Sequence, residues 1–133
     1  MDFKKSTYYD CPNLVEVEGR EVKISFDSEM KEVVVGNNVD DKTKAKGAVE
    51  TIQVFEAYVV RVEQPLGYDK VVNAIVSAAY PSDKMQAIIN NHLLDSEEDE
   101  DYKGHTEEFN TMQQWRKHAK EVAKDVISWV TEK

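Results

Sequence analysis

The sequence predicts an α+β fold: an N-terminal antiparallel β-meander of about four strands, followed by an αα-hairpin and a long C-terminal helix. Apolar and polar residues alternate in the first half of the chain, which is the period of a strand. In the second half, the apolar residues recur at the helical period of about 3.6. Pro65 and Gly67 stand where the period changes. A chain of 133 residues can form one compact domain or two small subdomains.

Residues 1–64 are the predicted β-sheet half. The alternation runs through residues 15–17 and 22–26 on either side of Gly19, which is the pattern of a hairpin. Residues 27–29, Asp-Ser-Glu, have the chemistry of a turn and precede a third predicted strand at 33–35. A polar, lysine-rich stretch then leads to the fourth and longest predicted strand, residues 49–63.

The middle of the fourth predicted strand is apolar on both faces. Tyr58 and Val60 fall on one parity, whereas Phe55, Ala57 and Val59 fall on the other. Either a bulge near Phe55 shifts the parity, or something also covers the second face. Because one layer of helices covers only one face of a sheet, the second alternative predicts contact with another copy of the chain.

Residues 65–94 are predicted to form the helical hairpin. Apolar residues at helical spacing run from Val71 to Ala79, with Asp69 as the expected N-cap and Pro81 as the break. Ser82 is the expected N-cap of the second helix, which is amphipathic through residue 93. Six of the seven residues at 95–101 are acidic, so residues 95–105 are predicted to be a mobile acidic loop.

The last predicted helix spans residues 106–133, with Thr106 as its N-cap. Its apolar residues have the alternating three- and four-residue spacing of heptad a and d positions: Met112, Trp115, Ala119, Val122, Val126 and Trp129. Because this seam is shorter than a typical coiled coil, it packs either on the sheet and hairpin or against a partner. In the second case, Trp115 and Trp129 are the candidate contact residues.

The sequence carries no recognisable catalytic or cofactor motif. The glycine-rich phosphate-binding patterns do not occur, and His92, His105 and His118 lack partners at the spacing of a metal pair. Cys11 is the single cysteine and cannot form an internal disulfide, which favours a reducing cytoplasmic environment. We therefore expect a protein that is not an enzyme, with no metal, no cofactor and no evident small-molecule substrate.

The charge of the chain limits the class of partner. The net charge is −9, from 26 acidic and 17 basic residues, which argues against nucleic acid or an anionic membrane surface as the main partner. No apolar run approaches the length of a membrane span. The expected partners are therefore proteins, including other copies of the chain.

Part of the helical half resembles a known family. Residues 68–76 (YDKVVNAIV), 80–88 (YPSDKMQAI), 108–116 (EFNTMQQWR) and 119–120 (AK) are similar to the helical module of small prophage-encoded proteins found among tail and baseplate genes. The resemblance covers residues 68–124. It implies a non-catalytic virion structural or assembly protein, located in the cytoplasm of a bacterial host or in the virion, that contacts its own copies or other tail components.

A second class of function is open at this point. A small acidic binding or inhibitor protein would use the 95–101 loop to meet a basic partner by electrostatic complementarity. Such binding weakens as salt rises, whereas apolar assembly contacts are less sensitive to salt.

Overall fold

A computed structural model describes residues 3–35, 50–94 and 100–131. Four antiparallel strands form one sheet, and three helices follow them, which confirms the α+β fold. The strands are β1 (Ser6–Tyr8), β2 (Val15–Glu18), β3 (Glu21–Val35) and β4 (Glu50–Glu63), in the order β1-β4-β3-β2. The helices are α1 (Tyr68–Ala79), α2 (Ser82–Leu94) and α3 (Tyr102–Thr131).

The strands differ from the predicted ones in two ways. β2, β3 and β4 form the expected meander, but β1 joins the far edge beside β4. Its three residues are too few to show a period, so the sequence pattern missed it. The predicted strands at 22–26 and 33–35 are parts of the single strand β3, which pairs with β4 from Glu21 to Val35.

A β-bulge stands where the sequence predicted a turn. The register with β4 shifts by one residue between Phe26 and Glu29, and Asp27 has a φ of +55°. Aspartate tolerates this left-handed conformation, which is why the segment has the chemistry of a turn. Because β4 continues opposite both ends of the segment, β3 bends there and does not reverse.

The helical hairpin forms as predicted, with a difference at the start of each helix. α1 ends at Ala79, the Tyr80 amide donates to the Val76 carbonyl at 2.8 Å, and Pro81 separates the helices. The N-cap of α1 is Gly67, which makes no side-chain capping hydrogen bond, so Asp69 is inside the first turn. α2 begins at Ser82, and the Met85 amide donates to the Pro81 carbonyl at 2.9 Å, so Ser82 is inside the helix and is not its N-cap.

α3 begins four residues earlier than predicted. It starts at Tyr102. The His105 amide donates to the backbone carbonyl of Asp101 at 2.9 Å, so this carbonyl accepts a hydrogen bond from the first turn of the helix. Thr106 is therefore within the helix, and residues 102–105 are helical, not part of a loop. Residues 95–99 of the predicted mobile acidic loop lie outside the described residues.

The main core lies between one face of the sheet and the helices α1 and α3. Its fully buried members include Ile24, Ile75 and Val126. Burying an aliphatic side chain of this size contributes roughly 1.5–3 kcal/mol. A smaller core joins α2 to α3 and the end of α1: Ala79, Tyr80, Ile88 and Met112.

The heptad seam of α3 packs inside this single chain. Met112, Ala119, Val122 and Val126 are buried, and the half-buried Trp115 and Trp129 pack against the main core. The interpretation of the seam as core is therefore confirmed. Within the described ranges, no helix has both the length and the apolar character needed to cross a membrane.

We expect Val122→Asp to lower the free energy of unfolding by several kcal/mol, because the new carboxylate is buried in the main core without a partner. Asn110→Asp adds the same charge to an exposed position of α3 and should change stability by less than about 0.5 kcal/mol. Urea denaturation followed by circular dichroism measures both. Equal midpoints for the two variants would contradict the internal position of the seam.

Candidate functional site

A cleft of about 600 Å³ lies between the bulge of β3 and one face of α3. A second cavity of about 310 Å³ lies next to it, and Asp27, Ser28 and His118 line both. We call the two cavities together the α3 cleft. The residues that α3 contributes are three or four apart and so share one face of the helix: Thr111, Gln114, Trp115, His118, Glu121, Val122 and Asp125.

The bulge aims an aspartate at the helix. Phe26 faces the main core, so in a regular strand the next side chain would point to the opposite face of the sheet. The left-handed conformation of Asp27 interrupts this alternation. Its carboxylate oxygens lie 2.7 and 2.8 Å from Nε2 of His118 on α3.

Both ring nitrogens of His118 face carboxylates. Nε2 meets Asp27, and Nδ1 lies 3.8 Å from a carboxylate oxygen of Glu121, one turn further along α3. An imidazole acts as a general base for a nucleophile only through a nitrogen that reaches that nucleophile. In this arrangement, His118 links α3 to the bulge of β3 through Asp27.

An aromatic cluster forms the apolar wall of the cleft. The Trp115 indole N–H donates to the Ile75 carbonyl at 3.0 Å, which fixes the ring between α1 and the sheet. Tyr58 meets this ring edge-on with centroids 5.3 Å apart, and Phe3 stacks on Tyr58 at 4.8 Å. The N-terminal segment therefore helps to build the site.

Lys5 places a positive charge on this wall. Its ammonium lies 5.2 Å from the centroid of the Tyr58 ring and forms an ion pair with Glu29. The hydrogen bond and the charge of Lys5 hold the pKa of the Glu29 carboxyl below its ordinary value. The cleft thus holds a lysine between an aromatic face and a carboxylate.

Tyr80 completes the wall as a neutral phenol. Burial raises its pKa above the ordinary value, Glu108 adds to this effect, and Lys84 opposes it. The smaller cavity is acidic because Asp27, Glu121 and Asp125 line it. No group of three metal-ligating side chains converges anywhere in the described parts of the chain.

The structure brings only one of the five sequence-predicted contact residues into the cleft. Trp115 lines the cleft, whereas Trp129 packs against the main core. The two residues are 14 positions apart on α3, which is about 21 Å along the helix axis at 1.5 Å per residue. Phe55, Ala57 and Val59 are on the alternate parity of β4 from the core residues, so they face away from the main core.

Of these three residues, Ala57 has 0% exposure within one chain. Phe55 and Val59 are half-buried. Long side chains cover part of this face: the Lys23 ammonium lies 4.7 Å from the centroid of the Tyr8 ring. The irregularity expected in β4 lies in β3, opposite Ala57.

Sequence reasoning missed the groups that define the cleft. The polar residues of α3 could have been found, because Gln114, His118 and Glu121 recur at helical spacing beside the apolar seam. Lys5 and Asp27 could not, because their contacts depend on the pairing of β1 and on a bulge. Comparison with family models, with curated proteins and with solved structures gives no match to this chain.

We expect Asp27→Gly to be more stable than Asp27→Ala by about 1 kcal/mol, because glycine adopts a positive φ without steric cost. Both variants lose the contact with His118, so their difference isolates the backbone conformation. In a regular strand the order is reversed, since glycine is less stable there than alanine. Urea denaturation measures the free energy of unfolding of both variants. A more stable alanine variant would contradict the bulge.

We expect Lys5→Met to raise the pKa of Glu29 toward its ordinary value, because the ion pair holds that pKa down. The pair stabilises the fold above the unfolded-state pKa of Glu29, and this contribution is lost as the pH falls through the lower folded-state pKa. Carboxyl-carbon NMR titration measures the shift. Lys4→Met, at an exposed neighbouring position, serves as the control and should leave the Glu29 titration unchanged.

Proposed function

We propose that this chain is a non-catalytic structural or assembly protein that works by contact with protein partners, in the setting of a phage or prophage tail. The observation that carries the proposal is the α3 cleft, which combines an aromatic wall with charged groups already paired inside the chain. Aromatic residues framed by polar groups are typical of protein contact surfaces.

The geometry of the charged groups supports a non-catalytic role. Nε2 of His118 is hydrogen-bonded to Asp27, Nδ1 lies 3.8 Å from a carboxylate oxygen of Glu121, and Lys5 is paired with Glu29. Burial raises the pKa of the Tyr80 phenol, which makes it a weaker acid than an exposed tyrosine. A site for acid–base or nucleophilic chemistry would need at least one such group directed at a reacting atom.

The tail setting rests on the resemblance of residues 68–124 to prophage tail-region proteins. The residues that carry the resemblance include Trp115, which anchors the aromatic wall to α1. For this setting, we propose the bacterial cytoplasm or the virion as the location of the protein. The proposed partners are other tail proteins or copies of the chain.

A small acidic binding protein is the second candidate function. The observation in its favour is the way Lys5 is held, between the Tyr58 ring and the Glu29 carboxylate. The smaller cavity of the cleft has further carboxylates, Glu121 and Asp125. A basic side chain of a partner would find the same two kinds of contact there.

We expect a photo-cross-linker attached to Cys11 to capture a tail component of the virion. Cys11 is exposed and is the single cysteine of the chain, and the adjacent Pro12 lines the smaller cavity. The labelled protein is added to a lysate after prophage induction, and the product is identified by mass spectrometry. The control is Ser77→Cys in a Cys11→Ser background, which places the label on an exposed residue of α1 outside the cleft.

The outcomes separate the candidates. One discrete product with a tail protein, absent from the Ser77 control and insensitive to salt, supports the proposal. A product with a basic protein that fades as salt rises supports the acidic binding protein instead. The same set of products from both labelling positions would contradict a contact function of the cleft.

A further inference from the structure

The outer edge of β3 has no described strand beside it over most of its length. β2 pairs only with residues 21–24 of β3, and no described backbone group bonds to β3 on that side beyond Ser25. Residues 29–34 are all exposed, and Met30 and Val34 are 55% and 63% exposed. An edge with free backbone groups and apolar side chains is a template for another strand.

The two faces of this edge carry different side chains. On the face away from the main core, Met30 lies opposite Phe55, which lies opposite Tyr8, so the three form one row across the sheet. On the other face, Glu29 pairs with Lys5, and Lys31 forms an ion pair with Glu56 at 2.8 Å. This ion pair raises the pKa of the Lys31 ammonium.

We propose that this edge pairs with the same edge of a second copy of the chain, antiparallel and centred on Met30. A two-fold axis perpendicular to the sheet joins identical edges in this way and keeps each face continuous. Met30 then lies opposite Met30 of the second copy, and Glu29 lies opposite Lys31 of the second copy, twice by symmetry.

The charges select this register among the neighbouring ones. Pairing centred on Glu29, Lys31 or Glu32 would place two identical charges opposite each other, which is destabilising. Pairing centred on Val33 avoids this but sets no opposite charges against each other. Only the Met30 register forms two ion pairs, and it also joins the two Tyr8–Phe55–Met30 rows into one apolar row across both copies.

The bulge limits the contact to about five residues from each copy. On the N-terminal side of Ser28, β3 bends at Asp27. Further toward its N-terminus, the same edge of β3 is paired with β2. A contact of this size is smaller than the interface of a permanent dimer, so the dimer is reversible and depends on concentration. This inference rests on the proposed assembly function and names one partner for it. Of the five residues from each copy, Ser28 and Glu29 also line the α3 cleft.

The first test uses charge exchange and sedimentation velocity over a series of concentrations. Wild-type protein should dimerise as concentration rises, and Glu29→Lys or Lys31→Glu should each weaken the dimer by about tenfold or more. The Glu29→Lys/Lys31→Glu double variant, and an equimolar mixture of the two single variants, should restore it. Glu32→Lys makes the same charge change on the same exposed strand and should leave the dimer within about threefold of wild type.

The second test traps the register. In a Cys11→Ser background, Met30→Cys places one thiol from each copy side by side on the two-fold axis and should form an intermolecular disulfide rapidly. Val33→Cys would be on the axis only in the alternative register and should cross-link at least tenfold more slowly. Both positions are exposed, so both variants are expected to fold.

A wild-type protein that stays monomeric at high concentration overturns the inference, as does faster cross-linking through Val33→Cys. A dimer that loses as much affinity on Glu32→Lys as on Glu29→Lys also overturns it. None of these results affects the capture of a partner through Cys11, so failure of the dimer and failure of the proposed function are distinguishable.

Discussion

The β-bulge at Asp27 and Ser28 is the constraint on which the rest of the structure depends. Before the bulge, β3 contributes Val22, Ile24 and Phe26 to the core beneath α1 and α3; beyond it, residues 29–34 are exposed. The one-residue shift also turns Asp27 toward His118, so the same local irregularity joins the sheet to α3 and shapes the cleft. The bulge therefore shapes the site and separates the buried part of β3 from its exposed part.

α3 contributes to both hydrophobic cores through one face and lines the cleft with the adjacent face. The apolar seam packs on the sheet through Val122 and Val126 and on α2 through Met112. The adjacent face lines the cleft with Gln114 and His118. The buried face of α3 fixes the helix, so the side chains on its adjacent face are held in place before any partner binds. Such an arrangement favours a preformed contact surface.

The N-terminal segment is part of the site although its strand is very short. Phe3 enters the aromatic cluster, Lys5 reaches the Tyr58 face, and Tyr8 shields the opposite side of the sheet together with Lys23. The contact between Tyr8 and Lys23 lies on the same face of the sheet as Ala57, which is buried in a single chain. A short strand is held here by side-chain packing more than by its three paired residues.

The sequence by itself determined the α+β fold, the helical hairpin with its break at Pro81, and the buried seam of α3, because periodicity reports which face of an element is apolar. It also placed Trp115 among the contact candidates. Only the tertiary structure decided that residues 27–29 form a bulge, that β1 lies beside β4, and that Lys5, Asp27 and His118 meet. A turn and a bulge use the same residues, and which one forms depends on whether a partner strand continues opposite them, which is information that no local pattern contains.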